Sequence, residues 1–535
     1  MSTETPDLCP KPPHVFARDA TGLTRALSAV DALAINVLFY AFGCVFICPT
    51  SIGFYPGADL PVSYVLVTIA LLSMATLYVL MSAAMPRTGG DYVWVTRVLS
   101  APVGFMASFY FVMIILSFSG SVAALIIPWF LNAGLEGASI ASSDSSYMQI
   151  AKTLGSPVIR WTLNFIIGGL PLVMLLGIRK VLKILWVGFL AGGLALVFTM
   201  GVLLSAGHEA FVTAFNQANP TSYAALIGSA QSRGFATEFT VSGTILGSIF
   251  AFFNLLGFGS AYFLGEIKDA GKTKTQWVGM AGALMIVGLV SGLFYVVVYQ
   301  VVGADFFHSV VYLFDIASPA YNLPFFGPQA GIFVAYATHI AAIPILVNVL
   351  IAVSYCVSTI AWSFVALRAI FAWSFDRVLP EKVSAVDARG EPWVAVIVVT
   401  IISELYMVLW NVTSVSTFLA YDIFGWAIAW VFVALAGAIF PYRRRDLFAL
   451  APPITKHKVL GVYVLTWVGI IATAFSAIMA YAVVSPSFVG PLNPTFMFDI
   501  VIVFVVGILI YGLSSFMRKR QGIPISAAYR TLPPE

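Results

Sequence analysis

Long apolar runs alternate with short polar loops along the whole chain. The runs fall at residues 28 to 52, 62 to 85, 102 to 132, 157 to 178, 183 to 206, 241 to 264, 276 to 301, 341 to 369, 393 to 410, 413 to 439, 459 to 484 and 497 to 517. Each is close to or above the ~20 apolar residues that carry a helix across a bilayer. Lipid offers no partner to loose backbone groups, and runs of this length are too long for barrel strands, so the pattern predicts helices. The expected fold is an all-α integral membrane protein of twelve transmembrane helices. The first 26 residues are polar and proline-bearing, with no short apolar core followed by a small-residue cleavage site, so no signal peptide is expected.

Composition agrees with that pattern. The chain is 60% hydrophobic and 9% charged, whereas soluble globular chains carry about a quarter charged residues. A soluble reading is thereby excluded. Of the 27 Lys and Arg, all but Lys152, Arg160 and Arg233 lie in the tails and in loops on the side that an even span count gives to both termini. The positive-inside rule then places both termini in the cytoplasm of a multi-pass protein of the cell membrane. The net charge of +4 is thus a topology signal and implies no nucleic-acid partner. Clusters such as Arg443 to Arg445 anchor the topology at the lipid surface. Membrane lipid and a small-molecule substrate are the expected partners, and no obligate protein partner is indicated.

Cys9, Cys44, Cys48 and Cys356 lie in the first tail or inside spans, so no disulfide framework is expected. Cys44 and Cys48 are one helical turn apart but lack a neighbouring His or carboxylate, and they read as packing residues, not a metal site. No Ser/His/Asp, Cys/His or metal-ligand cluster stands out, so neither enzymatic chemistry nor a cofactor is expected.

No loop is long enough to be a domain. Asn132 to Ser156, with its "AGLEGASIASSDSS", reads as flexible. Gly207 to Thr240 and Gly303 to Ala330 mix aromatic and polar residues and read as short surface helices. The spans themselves carry the stronger signal. Span 1 holds Asn36, Gly43 and Pro49, and span 6 holds Asn254, Gly257 and Gly259 in "FFNLLGFGS". Glycine weakens a helix interior by about 1 kcal/mol relative to alanine, and paired interruptions at matching positions point to an inverted repeat. Span 6 lies five spans on from span 1, so the two run in opposite directions. The expected organisation is a cytoplasmic tail (1–26), a core of two five-helix repeats (27–440, halves about 27–206 and 241–440), spans 11 and 12 (441–517), and a second cytoplasmic tail (518–535). A broken helix leaves free N–H groups where its second half starts and free C=O groups where its first half ends. Such a pair of ends can hold the carboxylate and ammonium of a zwitterion.

Three further motifs sit at matching places. The loop after span 2 reads "PRTGGDYVWV", close to Pro-x-x-Gly-Gly-x-Tyr; span 6 exits as "LLGFGSAYFLGEIKDAGK"; and span 8 ends as "RAIFAWSFDRVLP", followed by "EPWVAV". In order and spacing the chain from about residue 25 to 440 resembles the amino acid, polyamine and organocation permease superfamily, with its leucine-transporter-like fold. The resemblance implies a secondary active transporter that moves an amino acid or related small amine by alternating access. Carried over by residue, it implies a carboxylate site at Phe42, Gly43, Cys44 and Val45, and an amine site at Phe253, Asn254, Leu255, Leu256 and Gly257, with Phe253 as a gate over the substrate.

Two departures narrow this. Phe42 stands where Gly-small-Gly is common. Gly259 replaces a common acidic residue, which disfavours arginine or a polyamine and favours a neutral amino acid. A lysine that some proton-coupled relatives carry in span 5 is replaced by Gly192 and Gly193, so the coupling ion, H+ or Na+, is open. Ser358 and Thr359 in span 8 are the candidate Na+ ligands, and Asp422 in span 10 is a candidate proton site. Asp31, Glu404 and His339 also lie within or near spans, and Glu266 is expected to pair with a basic residue at the inner gate. A channel or substrate sensor on the same scaffold, or a nucleobase-cation symporter of the same fold, remain the alternatives.

Overall fold

The computed structural model describes residues 16–18, 20–47, 55–413, 419–485, 494–523 and 525–534, with the side chains of 419–422, 494–496 and 499 outside that set. Cys9, Cys48 and Pro49 lie outside the described residues, and Asp422 is described only as part of a helix. Among the described residues twelve helical segments are long and apolar enough to cross a membrane: Ala29–Ile47, Leu60–Ala84, Ala101–Ser142, Pro157–Leu176, Ile178–Ala206, Val241–Phe263, Thr273–Val301, Ala342–Phe375, Trp393–Val412, Ile423–Arg443, Val464–Val484 and Ile500–Arg520. They are numbered as spans 1 to 12. The protein is an all-α membrane protein, as the apolar pattern predicts.

Burial sorts these helices. Spans 1 and 3 are the most enclosed, and spans 4, 11 and 12 face outward with apolar side chains such as Val158, Ile166, Tyr481 and Leu509 exposed. Apolar residues all round a buried helix, and outward apolar faces on peripheral ones, are what a bundle dissolved in lipid requires. Span 1 starts at a capping box: Ser28 caps the helix, and its N–H donates to Asp31 at 2.8 Å. The other Asp31 oxygen accepts from Trp186 at 3.0 Å, so this carboxylate anchors the start of span 1 to span 5.

One expected loop is helical. Span 3 passes Pro128 through a π turn, Ile127–Leu131, which accommodates the missing N–H, and continues as Asn132–Ser142. Gly134 and Gly137 let this extension lie against Asn348 and Pro344 of span 8. The small residues that suggested flexibility therefore serve close helix packing. The other two loops form the short helices His208–Ala218, Tyr223–Gln231 and Ala304–Asp315, as expected.

Candidate substrate site

Span 1 consists of two helices, Ala29–Phe39 and Phe42–Ile47, joined through Tyr40 and Ala41. Ala41 has φ +51°, a left-handed conformation that ends one helix and allows the next to start. The interruption lies just before the expected segment: Phe42, Gly43, Cys44 and Val45 form the first turn of the outer half-helix. Asn36 does not interrupt span 1 either. It lies within the first helix, where its amide accepts from Ser260 N at 2.8 Å and donates to Ser260 Oγ and Gly279 O at 2.8 and 2.7 Å.

Span 6 is helical from Val241 to Asn254, opens through Leu255 to Phe258, and resumes as a 3-10 turn, Gly259–Phe263. Phe253 and Asn254 thus end its first helix, Leu255, Leu256 and Gly257 form the opening, and Gly259 starts the second part. Gly257 has φ +102°, and an added Cβ would run into the Phe39 ring and come within 3.1 Å of Trp426. At Gly259 a Cβ would meet Phe39 at 2.9 Å and Val365 at 3.1 Å, so no acidic side chain fits at that position as packed.

Asn254 joins the two openings. Its Nδ2 donates to the Tyr40 carbonyl at 2.7 Å, and its Oδ1 accepts from the Tyr64 hydroxyl of span 2 at 3.0 Å. Next to it, Trp362 Nε1 of span 8 donates to the Phe39 carbonyl at 2.8 Å. Carbonyls released by the span 1 break are therefore held by side chains of spans 6 and 8.

Aromatic rings gather around these openings. Phe118 lies 5.3 Å from Phe253, 6.1 Å from Trp362 and 6.3 Å from Trp426, centroid to centroid, and Trp426 lies 5.9 Å from Phe39. Phe253 is half-buried, whereas the rings around it are buried. Trp426 Nε1 is buried and has no hydrogen-bond partner among the described residues, a free donor beside the Gly257 turn.

Phe42 lies against Gly192 of span 5, where a Cβ would collide with its ring and with Ser354 Oγ. The bulky residue at the first break and the missing side chain on span 5 are thus complementary. Ser358 Oγ donates back to Ser354 O at 3.0 Å, a hydroxyl satisfied within its own helix. Thr359 Oγ1 is buried and has no partner among the described residues. Glu404 packs against Gly168 of span 4, and His339 is exposed.

The face that carries both termini is closed by two buried ion clusters. Arg368 of span 8 donates to Glu266 at the end of span 6 at 2.8 and 2.7 Å, and to Glu391 ahead of span 9 at 3.1 Å. Arg97, in the short helix Asp91–Val98, makes a paired contact with Asp376 at the end of span 8, 2.6 and 2.8 Å. Residues 525–534 strap this closure. Tyr529 stacks on Arg97 at 5.1 Å, Arg87 donates to Pro533 O at 2.7 Å, and Arg444 donates to Arg530 O at 2.6 Å. On the same face Leu27 N donates to Glu266 O and Arg377 donates to Phe16 O.

The basic partner expected for Glu266 is thus Arg368, one of the residues that carried the resemblance. Arg97, Trp362 and Trp426 escape sequence reading, and each is distant in sequence from the residues it meets. Asn254 was expected in the amine site but its tie to the span 1 break was not, and Glu391 was quoted in a motif without a role.

Two interrupted helices bridged by Asn254, ringed by aromatic side chains and closed on one face by buried ion pairs, form the centre of this membrane protein. A family model described as "Amino acid permease" matches residues 27–507. The chain belongs to this family, of the amino acid permeases of the larger superfamily named above. No curated protein matches the chain.

Proposed function

We propose that the protein is a secondary active transporter of the cell membrane that moves a neutral amino acid by alternating access, with both termini in the cytoplasm. The observation that carries this is the paired interruption of spans 1 and 6, held together by Asn254. Two five-helix repeats in a leucine-transporter-like arrangement account for interruptions at matching positions in oppositely directed helices. The half-helix starting at Phe42 offers N–H groups to a carboxylate, and the carbonyls around Leu255 to Gly257 face the ammonium. The aromatic setting of Phe118, Phe253, Trp362 and Trp426 supplies no charged partner for a substrate side chain, which favours an uncharged one. Two carbonyls at the span 1 break, Phe39 O and Tyr40 O, already accept from Trp362 and Asn254, which leaves Ser358 Oγ and Thr359 Oγ1 as the oxygens a Na+ between spans 1 and 8 would find; replacing Na+ by choline at a fixed pH gradient distinguishes Na+ from H+ as the coupling ion.

Purified protein in proteoliposomes tests the reading by counterflow of labelled neutral, basic and acidic amino acids. Saturable counterflow of a neutral amino acid, outcompeting arginine and polyamines, is expected. Saturable binding without counterflow would establish a sensor instead.

A further inference from the structure

The ion clusters of the closed face contain three buried carboxylates, Glu266, Glu391 and Asp376, each with an arginine. A fourth buried carboxylate on that face, Asp91, has none among the described residues. It is 6% exposed, and it accepts from Tyr78 Oη of span 2 at 2.8 Å and from Tyr262 Oη in the second part of span 6. A small cavity of about 10 Å³ lies beside it, walled by Gly104, Ala107, Ser108 and Phe111 of span 3 and Ala429 and Val433 of span 10, none of them ionisable. That volume is close to the room one water needs. The ionisable groups facing Asp91 are therefore tyrosines: Tyr78 and Tyr262 from the two spans, and Tyr92 of its own helix.

We propose that Asp91 is the proton site that couples transport to H+, its carboxylate holding span 6 to the helix Asp91–Val98 when ionised and loosening that hold when protonated. The proposal rests on the transporter reading above. Ionised, Asp91 accepts from both tyrosine hydroxyls. Protonated, one of its oxygens becomes a donor, and the two hydroxyls compete for the remaining acceptor capacity. The tie lies on an element that must move if the closed face is to open. Gly89 N donates to Tyr262 O at 3.2 Å, and a Cβ at Gly90 would lie 3.0 Å from Ala261 O, so the Gly-Gly turn seats Asp91 directly on span 6.

A proton shifts a conformational equilibrium only through different affinities in the two states. Opening provides that difference by parting Asp91 from Tyr262 while spans 3 and 10 keep it buried: the carboxyl loses a donor to its ionised form, so the opened state binds the proton more tightly. A row of rings links this point to the site: Tyr40, in the span 1 break, lies 6.5 Å from Phe258, which lies 4.9 Å from Tyr78. Burial pushes the Asp91 carboxyl up to about 6, against the opposing pull of its hydroxyl donors, so its proton is exchangeable near neutral pH.

The test uses the full chain in proteoliposomes and labelled L-leucine, or whichever neutral amino acid gives the largest wild-type counterflow. Wild type is expected to accumulate the label under an acid-outside gradient. Asp91→Asn, a neutral isostere, is expected to lose gradient-driven accumulation and substrate-induced proton uptake while retaining counterflow. Tyr262→Phe, which removes one donor to the carboxylate, is expected to move the midpoint of the pH dependence of uptake upward. Undiminished accumulation by Asp91→Asn, or loss of counterflow together with accumulation, overturns the assignment. Should Asp91→Asn fail to reach the membrane, an unchanged pH midpoint in Tyr262→Phe overturns it equally. Wild type that shows counterflow but no H+-driven accumulation refutes the proton site alone; wild type without counterflow refutes the transporter reading beneath it.

Discussion

Replacing Asp376 by asparagine should open the face that carries the termini. The carboxylate holds Arg97 through two short contacts, both side chains are essentially inaccessible, and one belongs to the loop region after span 2 and the other to the end of span 8. Removing one member of a buried ion pair costs about 3 to 5 kcal/mol, because the other charge is left uncompensated in a medium of low dielectric. Here the lower end applies, since Arg97 keeps Thr96 Oγ1 at 2.9 Å and the Tyr529 ring. The cost falls on the closed arrangement alone, because an opened face lets water solvate Arg97. At 1.4 kcal/mol per tenfold, about 3 kcal/mol shifts the closed-to-open ratio by roughly 100-fold. Hydrogen exchange of the protein in nanodiscs reads this directly: amides of residues 88–98 and 260–268 should lose protection in Asp376→Asn. Asp269→Asn is the control, because its partner Lys272 and Asp269 itself are exposed, and pairs of that kind contribute little. Equal protection in Asp376→Asn and wild type would refute the idea that this pair holds the face shut.

Two further outcomes follow from the same geometry. Gly257→Ala forces a side chain into a left-handed turn against Phe39 and Trp426; strain and overpacking of about 1 to 3 kcal/mol each should abolish substrate counterflow in protein that still elutes as a single species. Asp91, raised to about 6 from an ordinary 3.8, keeps a proton in the folded state that the unfolded chain has already lost. Folded stability should therefore fall as pH rises from about 4 to about 6, by a total of about 3 kcal/mol. Thermal unfolding across that range should show the slope in wild type and its absence in Asp91→Asn once the two curves are subtracted; parallel curves would contradict the burial of an ionised carboxylate there.

The twelve spans were legible because a helix in lipid must be apolar along its length, and that constraint is written locally. The two broken spans were legible for a related reason, since Gly257 and Asn254 are poor residues for a continuous helix. The position of the first break was not, because Tyr40 and Ala41 carry no signal of their own. Ala41 adopts a left-handed conformation that its residue type disfavours, and tertiary contacts such as Asn254 to the Tyr40 carbonyl hold it there. Motif residues were visible but their partners were not: Glu266, Arg368 and Asp376 belong to the segments that carried the resemblance, yet only the fold shows that Glu266 pairs with Arg368, and Asp376 with Arg97, across the closed face. Pairings such as Arg97 with Asp376, 279 positions apart, leave no local trace in a single sequence. The candidate Asp422 falls on a side chain outside the described set, whereas Asp91 was quoted inside a motif and given no task.

The strap over the closed face has a consequence for how freely its own sequence can drift. Arg87 and Arg444 take hold of backbone carbonyls at Pro533 and Arg530, and every residue type supplies such a carbonyl. Identity matters on the gripping side and at Tyr529, whose ring covers Arg97. A lineage of this protein could thus rewrite positions 530, 531 and 533 almost at will and keep the fastening, while a change of Arg444 or Arg87 would each remove one of its grips.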